Sequence, residues 1–160
     1  MELVIALTTI ASFIFMVSLL IIYSMFDIRN RKISNQVLLM GGIFGLGVIS
    51  ASGHLLQHAL LHLTAVVLTI ILGYVLFRIG SLGGADVKTL LTIAIVSPGV
   101  EFAIWNDPIL EGILAVGILL FITLLTGYIM TKRKTDSSDM VPLIPVLFGA
   151  YLVLQLLALF

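Results

Sequence analysis

The sequence predicts an all-α integral membrane protein, built as a bundle of about six transmembrane helices. Hydrophobic residues make up 61% of the chain and charged residues 10%, against about 45–50% and about 25% in soluble domains. The apolar residues also occur in runs long enough to cross about 30 Å of hydrocarbon as helices. Because the chain has 160 residues, we expect residues 1–160 to form a single membrane-embedded domain, with lipid covering much of its surface.

Six apolar segments support this helix count. The first, residues 3–26, carries no charged residue. We interpret it as a retained helix and not as a cleaved signal peptide, because it is too long, Glu2 stands where a basic residue is usual, and no small-residue cleavage site follows. The other segments cover about residues 36–51, 58–79, 86–96, 109–130 and 141–160.

Two of these segments have special features. In the second, Gly41 and Gly45 form a G-x-x-x-G pattern, which allows a neighbouring helix to approach closely. The fourth is short, because Pro98 within Ser97-Pro98-Gly99 should break or kink the helix. We therefore expect the start of the fourth helix to lie in a protein-lined interior.

The distribution of charge predicts the orientation of the bundle. Lys and Arg accumulate in cytoplasmic loops of membrane proteins. With the N-terminus outside, six helices place all eight basic residues on the cytoplasmic side, namely Arg29, Arg31, Lys32, Arg78, Lys88, Lys132, Arg133 and Lys134. The opposite side then receives only acidic residues, namely Glu2, Glu101, Asp107 and Glu111.

Composition also excludes several classes of function. The net charge is zero, so there is no whole-protein field that would attract nucleic acid. The absence of cysteine excludes disulfides, thiolate zinc sites and thiol nucleophiles. His54, His58 and His62 recur every four residues, but on one helix the outer two would lie about 12 Å apart. We therefore predict neither a metal site nor a cofactor.

Two aspartates are the candidate functional residues. The predicted topology puts Asp27 at the cytoplasmic end of the first helix and Asp86 at the cytoplasmic start of the fourth, at similar depth. Asp27 opens a basic segment that ends at Ser34 and Asn35, either of which could cap the second helix. Asp86 closes Gly83-Gly84-Ala85-Asp86, whose small residues allow close approach of another helix. Taken singly, each aspartate is more often an ordinary loop acid.

Together, the two segments resemble the type IV prepilin peptidase family, including the archaeal preflagellin peptidases. Members carry an Asp followed by a basic stretch and an I-P-N-like element, and then a G-x-G-D motif that opens the fourth helix. In this chain Ala85 replaces the last glycine of that motif, and Ser34 stands where the family often has proline. The alanine would matter if its position required a positive φ.

The resemblance implies a membrane aspartic endopeptidase in which Asp27 and Asp86 form the catalytic pair. It further implies substrates with a short basic leader and a following hydrophobic helix, such as precursors of pilins or archaellins. Cleavage would then occur at the cytoplasmic face of a prokaryotic cell membrane. Bacterial members that also methylate the new N-terminus often have a cysteine-rich insert, so we expect cleavage alone here.

Other residues near the predicted pair are candidates for supporting roles. Gly83, Gly84 and Ala85 belong to the motif, and Lys88 could orient a leader or simply follow the positive-inside rule. Asn35, Pro142 and Pro145 are candidates for substrate binding. The Pro-x-x-Pro pattern is similar to a proline element near the active site of related intramembrane aspartic proteases, although proline also commonly starts a helix.

Two alternative functions remain compatible with the sequence. One is a protease of the presenilin or signal-peptide-peptidase type that cuts inside the bilayer, although such proteins usually have more helices. The other is a non-enzymatic transport or assembly subunit whose two acids carry protons or bind a partner.

Overall fold

The computed structural model describes residues 2–100, 106–133 and 142–157. These residues form helices joined by short turns, without strands in the described ranges. The bounds are α1 Glu2–Asn30, α2 Asn35–Ala51, α3 His54–Gln57, α4 Ala59–Ile79, α5 Gly84–Val96, α6 Pro108–Arg133 and α7 Leu143–Leu157. The prediction of an all-α fold is confirmed. Each of the six predicted segments contains one helix of 13 or more residues, and α3 is an additional single turn.

The helices differ in their ability to cross a membrane. Three are long and apolar enough to do so, over Thr8–Asn30, Ala59–Ile79 and Pro108–Lys132. Helices α2 and α7 are apolar but shorter. Helix α5 has 13 residues, which gives a length of only about 20 Å, as its proline-containing end predicts. Most of its side chains after the first turn are buried, namely Thr89, Leu90, Thr92, Ile93, Ala94 and Val96.

The helices form a closed ring in the order α6, α4, α5, α2, α1 and α7, and α7 returns to α6. Helix α5 lies between α4 and α2, and it also contacts α1 and α7 across the ring. The short helix is therefore displaced toward the interior, where it is surrounded by protein. The buried part begins after the first turn, whereas the start of α5, which the sequence predicts to be protein-lined, is half-buried, with Lys88 exposed.

Polar contacts tie the end of α5 to α6 and α7. The hydroxyls of Ser97 and Tyr151 are 2.6 Å apart, and Nε2 of Gln155 donates to the carbonyl of Gly99 at 3.0 Å. The backbone N–H of Val100 donates to Oε1 of Glu111 at 2.9 Å. A turn buried in an apolar bundle must satisfy its backbone groups, and these side chains satisfy part of the turn after α5.

The two glycines of the G-x-x-x-G pattern permit close packing, as predicted. Gly41 and Gly45 are both buried in α2. A Cβ atom added at Gly41 would overlap the hydroxyl of Tyr23 on α1, and one added at Gly45 would overlap the side chain of Val96 on α5. Glycine at these two positions therefore lets the backbone of α2 contact α1 and α5 directly, which a larger residue would prevent.

The expectation that the three histidines lie on one helix is wrong. Gly53 has a left-handed conformation (φ 80°), α3 ends after one turn, and His58 leaves helical geometry with φ −118° and ψ 30°. The chain thus changes direction between His54 and His62. As a result, His54 Nδ1 and His62 Nε2 are 3.1 Å apart, and both residues are buried. Among the described residues, no set of three or more His, Asp or Glu side chains is arranged to hold a metal ion.

The close packing at Gly41 predicts a specific loss of stability. Gly41→Ala should destabilise the fold by about 1–3 kcal/mol, the usual cost of overpacking, because the new methyl group overlaps Tyr23. The measurement is the thermal unfolding midpoint in detergent, followed by circular dichroism. Gly47→Ala is the matched control, since a Cβ atom there meets nothing within 4 Å and alanine favours a helix. Equal midpoints for the two variants would contradict the packing argument.

Candidate active site

Asp27 lies in the last turn of α1 and is half-buried. Its Oδ2 accepts a hydrogen bond from the backbone N–H of Ile144 at 3.2 Å. Ile144 is the second residue of α7, and the first N–H groups of a helix have no partner within that helix. The carboxylate of Asp27 therefore caps a helix that begins more than a hundred residues later in the chain.

Asp86 is the third residue of α5 and is also half-buried. Its Oδ2 accepts a hydrogen bond from the backbone N–H of Gly83 at 2.9 Å. Gly83 is the residue that precedes α5, and its backbone is extended, with φ −77° and ψ 160°. An acidic residue in the first turn of a helix is stabilised there by the helix dipole. Asp86 thus caps its own helix, whereas Asp27 caps α7.

The two carboxylates interact electrostatically. Burial raises the pKa of Asp86 to about 6, the hydrogen bond from Gly83 opposes this rise, and the negative charge of Asp27 adds to it. Asp86 lies outside the three helices that are long enough to cross a membrane. Lys88 near the start of α5 contacts Asn35, which follows the end of α1, so the two acids lie at the same end of the bundle although they belong to different helices. Like charges at short range favour retention of a proton on one of them.

Of the two glycines before Asp86, only Gly83 lacks room for a side chain, and neither is needed for its backbone conformation. The glycines with positive φ in the described ranges are Gly53 and Gly80, so Gly83 and Gly84 have ordinary dihedral angles. Ala85 is the second residue of α5, and alanine is compatible with that position. A Cβ atom at Gly83 would lie 2.9 Å from Oδ2 of Asp86, whereas one at Gly84 would be in ordinary contact, 3.7 Å from Phe77.

The segment after Asp27 makes a tight connection to α2. The N–H of Arg31 donates to the carbonyl of Asp27 at 2.9 Å, and Arg31 has φ 51°, a conformation that non-glycine residues seldom adopt. Ser34 then caps α2 by accepting the N–H of Val37 at 3.3 Å. The sequence left Ser34 and Asn35 open as caps, and the structure selects Ser34. The left-handed Arg31 was not predicted, because arginine does not signal such a turn.

The supporting residues predicted from the sequence separate into two places. Nζ of Lys88 donates to Oδ1 of Asn35 at 2.6 Å, so these two residues join α5 to the first turn of α2. Pro142 directly precedes α7 and Pro145 is its third residue, which confirms that the proline pattern marks a helix start. The Pro-x-x-Pro element also adjoins Asp27 through Ile144. Sequence analysis missed Ile144, because a backbone donor has no side-chain signature.

Comparison with known proteins identifies the class. A sequence model of the type IV leader peptidase family matches residues 14–159. The chain therefore belongs to this family of peptidases, and its apolar helices make it a membrane protein. The match confirms the resemblance that the two aspartate segments indicate. Searches of curated proteins and of solved structures returned no match.

The different surroundings of the two motif glycines predict different effects on peptidase activity. If Asp86 is catalytic, as its motif predicts, Gly83→Ala should lower the turnover rate at least about tenfold, because its methyl group would press on Oδ2 of Asp86 and small displacements of a reacting group are costly. Gly84→Ala, the matched control, should remain within about threefold of wild type, since its methyl group fits and alanine favours a helix. The measurement is the turnover rate of the purified protein. A larger loss of activity in Gly84→Ala than in Gly83→Ala would contradict the difference in available space at the two glycines.

Proposed function

We propose that this protein is an aspartic endopeptidase in which Asp27 and Asp86 activate water between them. The observation that carries the proposal is that Asp27 at the end of α1 and Asp86 at the start of α5 occupy one end of the bundle, in a chain that belongs to the type IV leader peptidase family. Asp27 and Asp86 belong to the two segments that resemble the family motifs. Both lie at the end of the bundle where α1 ends and where α5 and α7 begin.

Two neighbouring carboxylates can perform peptide hydrolysis without a covalent intermediate. Two like charges about 4 Å apart repel by about 4 kcal/mol at an effective dielectric constant of 20, so the pair retains one proton. The ionised carboxylate removes a proton from water, and the oxygen of that water bonds to the scissile carbonyl carbon. The protonated carboxyl donates its proton to the carbonyl oxygen. Collapse of the tetrahedral intermediate breaks the C–N bond and re-forms the carbonyl. The leaving nitrogen takes up a proton from the pair, and one hydroxyl of the intermediate returns a proton to it, so the pair again holds one proton.

The proposed substrates are prepilin-like or preflagellin-like precursors with a short basic leader and a following hydrophobic helix. The family assignment supports this substrate class. Basic residues occur in the last turns of α1 and α4 and near the start of α5, for example Arg29, Arg78 and Lys88, so they belong to the same end of the bundle as the aspartates. By the positive-inside rule this end faces the cytoplasm. The proposed reaction is cleavage alone, without methylation of the product, at the cytoplasmic face of a prokaryotic cell membrane.

Removal of either carboxylate tests the pair directly. Asp27→Asn and Asp86→Asn should each lower cleavage of a basic-leader prepilin by about 10²–10⁴-fold, because general acid–base catalysis contributes a factor of that size. Cleavage is measured with membranes or purified protein by the change in substrate mobility. Asp107→Asn is the matched control: Asp107 accepts the N–H groups of Ile109 and Leu110 at the start of α6, and asparagine can take over such a cap.

Each outcome distinguishes the possible functions. Retained cleavage in either Asp27→Asn or Asp86→Asn would exclude the paired mechanism. Failure of wild type to cleave any basic-leader precursor would favour a non-enzymatic transport or assembly role. A cut within the hydrophobic helix of the substrate, and not before it, would favour the presenilin-type alternative.

The raised pKa of Asp86 predicts the pH dependence of cleavage. The pair needs one proton, and Asp86 gives up its proton as the pH rises through about 6. The value of kcat/KM should therefore fall about tenfold per pH unit above that pH, and it should fall again in acid when the pair takes up a second proton. The profile reports the pair and not one residue. A constant kcat/KM between about pH 5 and pH 8, a range that includes the pKa of Asp86, would contradict the proposal.

A further inference from the structure

We propose that the first turn of α7 is a positioning element for Asp27, and that the backbone N–H of Ile144 is the group that performs this role. The inference rests on the proposed function, because it concerns one member of the proposed pair. It assigns a purpose to the Pro-x-x-Pro pattern other than substrate binding. The observation is the hydrogen bond from Ile144 N–H to Oδ2 of Asp27.

The sequence around Ile144 makes its N–H available to an external acceptor. Ile144 is the second residue of α7, where N–H groups have no acceptor within the helix. Proline has no backbone N–H, so of residues 142–145 only Leu143 and Ile144 carry one. The two prolines also fix their own φ angles. Pro142 and Pro145 therefore start the helix rigidly and limit the number of donors at its first turn.

The rest of α7 is anchored, so this donor has a defined position. Ile144 and Leu147 are buried and belong to the same core cluster as residues of the other helices. The ring of Tyr151 stacks on that of Phe13 in α1, with centroids 6.2 Å apart, and its hydroxyl contacts Ser97 after α5. These contacts bind α7 to α1 and to the end of α5, the two helices that carry the aspartates.

Asp27 is less constrained by its own helix. It lies in the last turn of α1, after which the chain turns at Arg31, and its side chain is half-buried. A hydrogen bond to a charged acceptor is stronger than a neutral one, so the N–H of Ile144 restricts the orientation of this carboxylate. Since Asp27 acts in the proposed chemistry and not in leader binding, loss of the donor should lower kcat and leave KM unchanged.

The decisive variant removes one hydrogen-bond donor and preserves the side chain. Replacing Ile144 by its α-hydroxy acid analogue converts the amide to an ester, which has no N–H. We expect kcat to fall about 10- to 100-fold, as for a misplaced catalytic group, with KM within about twofold of wild type. The same replacement at Leu143 is the matched control for loss of an N–H in the first turn, and it should keep kcat within about threefold.

A second variant separates positioning from packing. Leu154→Ala leaves the first turn of α7 intact but creates a cavity, because the leucine side chain is buried about three turns further along the helix. It should lower the unfolding midpoint and yet retain kcat within about threefold of the wild-type value. If Leu154→Ala loses kcat as severely as the Ile144 ester, or if the ester keeps wild-type kcat, the positioning role is wrong.

A measurement without substrate distinguishes failure of this inference from failure of the proposed function. In protein labelled with ¹⁵N-isoleucine, the amide proton resonance of Ile144 should move upfield in Asp27→Ala and stay in place in Asp86→Ala. If the amide proton resonance of Ile144 does not move in Asp27→Ala, the inference is wrong. If wild type cleaves no precursor but the resonance responds, the proposed function fails and with it the catalytic purpose of the contact, although the hydrogen bond itself is confirmed.

Discussion

A carboxylate at the edge of an apolar bundle needs a hydrogen-bond donor, because burial without one is costly. In this protein both aspartates obtain a donor at the start of a helix. Asp86 takes the N–H of Gly83 before α5, and Asp27 takes the N–H of Ile144 in α7. Helix starts also carry partial positive charge. Two acids can therefore lie at one end of the bundle, as the proposed chemistry requires.

The placement of α5 makes that arrangement possible. Its 13 residues are too few to cross the bilayer alone, and the helix lies between α4 and α2, where it also contacts α1 and α7. Gly45 in α2 leaves room for the side chain of Val96, and Gly41 leaves room for that of Tyr23 in α1. At the same end of α5, the hydroxyl of Ser97 contacts that of Tyr151 in α7. Small residues and polar contacts thus hold the end of α5 against α2 and α7.

Much of the fold and of the candidate site could be predicted, because the residues concerned have a recognisable pattern in the sequence. Apolar runs predicted the helices, because the cost of exposing backbone in lipid leaves few alternatives. Gly41 and Gly45 indicated close packing, and Ser34 was one of two expected caps. Asp27 and Asp86 stood out only through their motifs, since an aspartate at a helix end is otherwise ordinary. The family match supports the motifs, while the role of the pair stays a proposal.

The sequence by itself determined that the chain forms apolar helices, that α5 is short and which acids to consider. The tertiary structure decided which groups meet. Ile144 was invisible because every residue but proline has the same backbone N–H, and only the fold directs one of them at Asp27. His54 and His62 were misjudged because the break at Gly53 and His58 accompanies the packing of α3 against α1, α2 and α4. Hydropathy acts locally along the chain, whereas the partner of a polar group is fixed by helices distant in sequence.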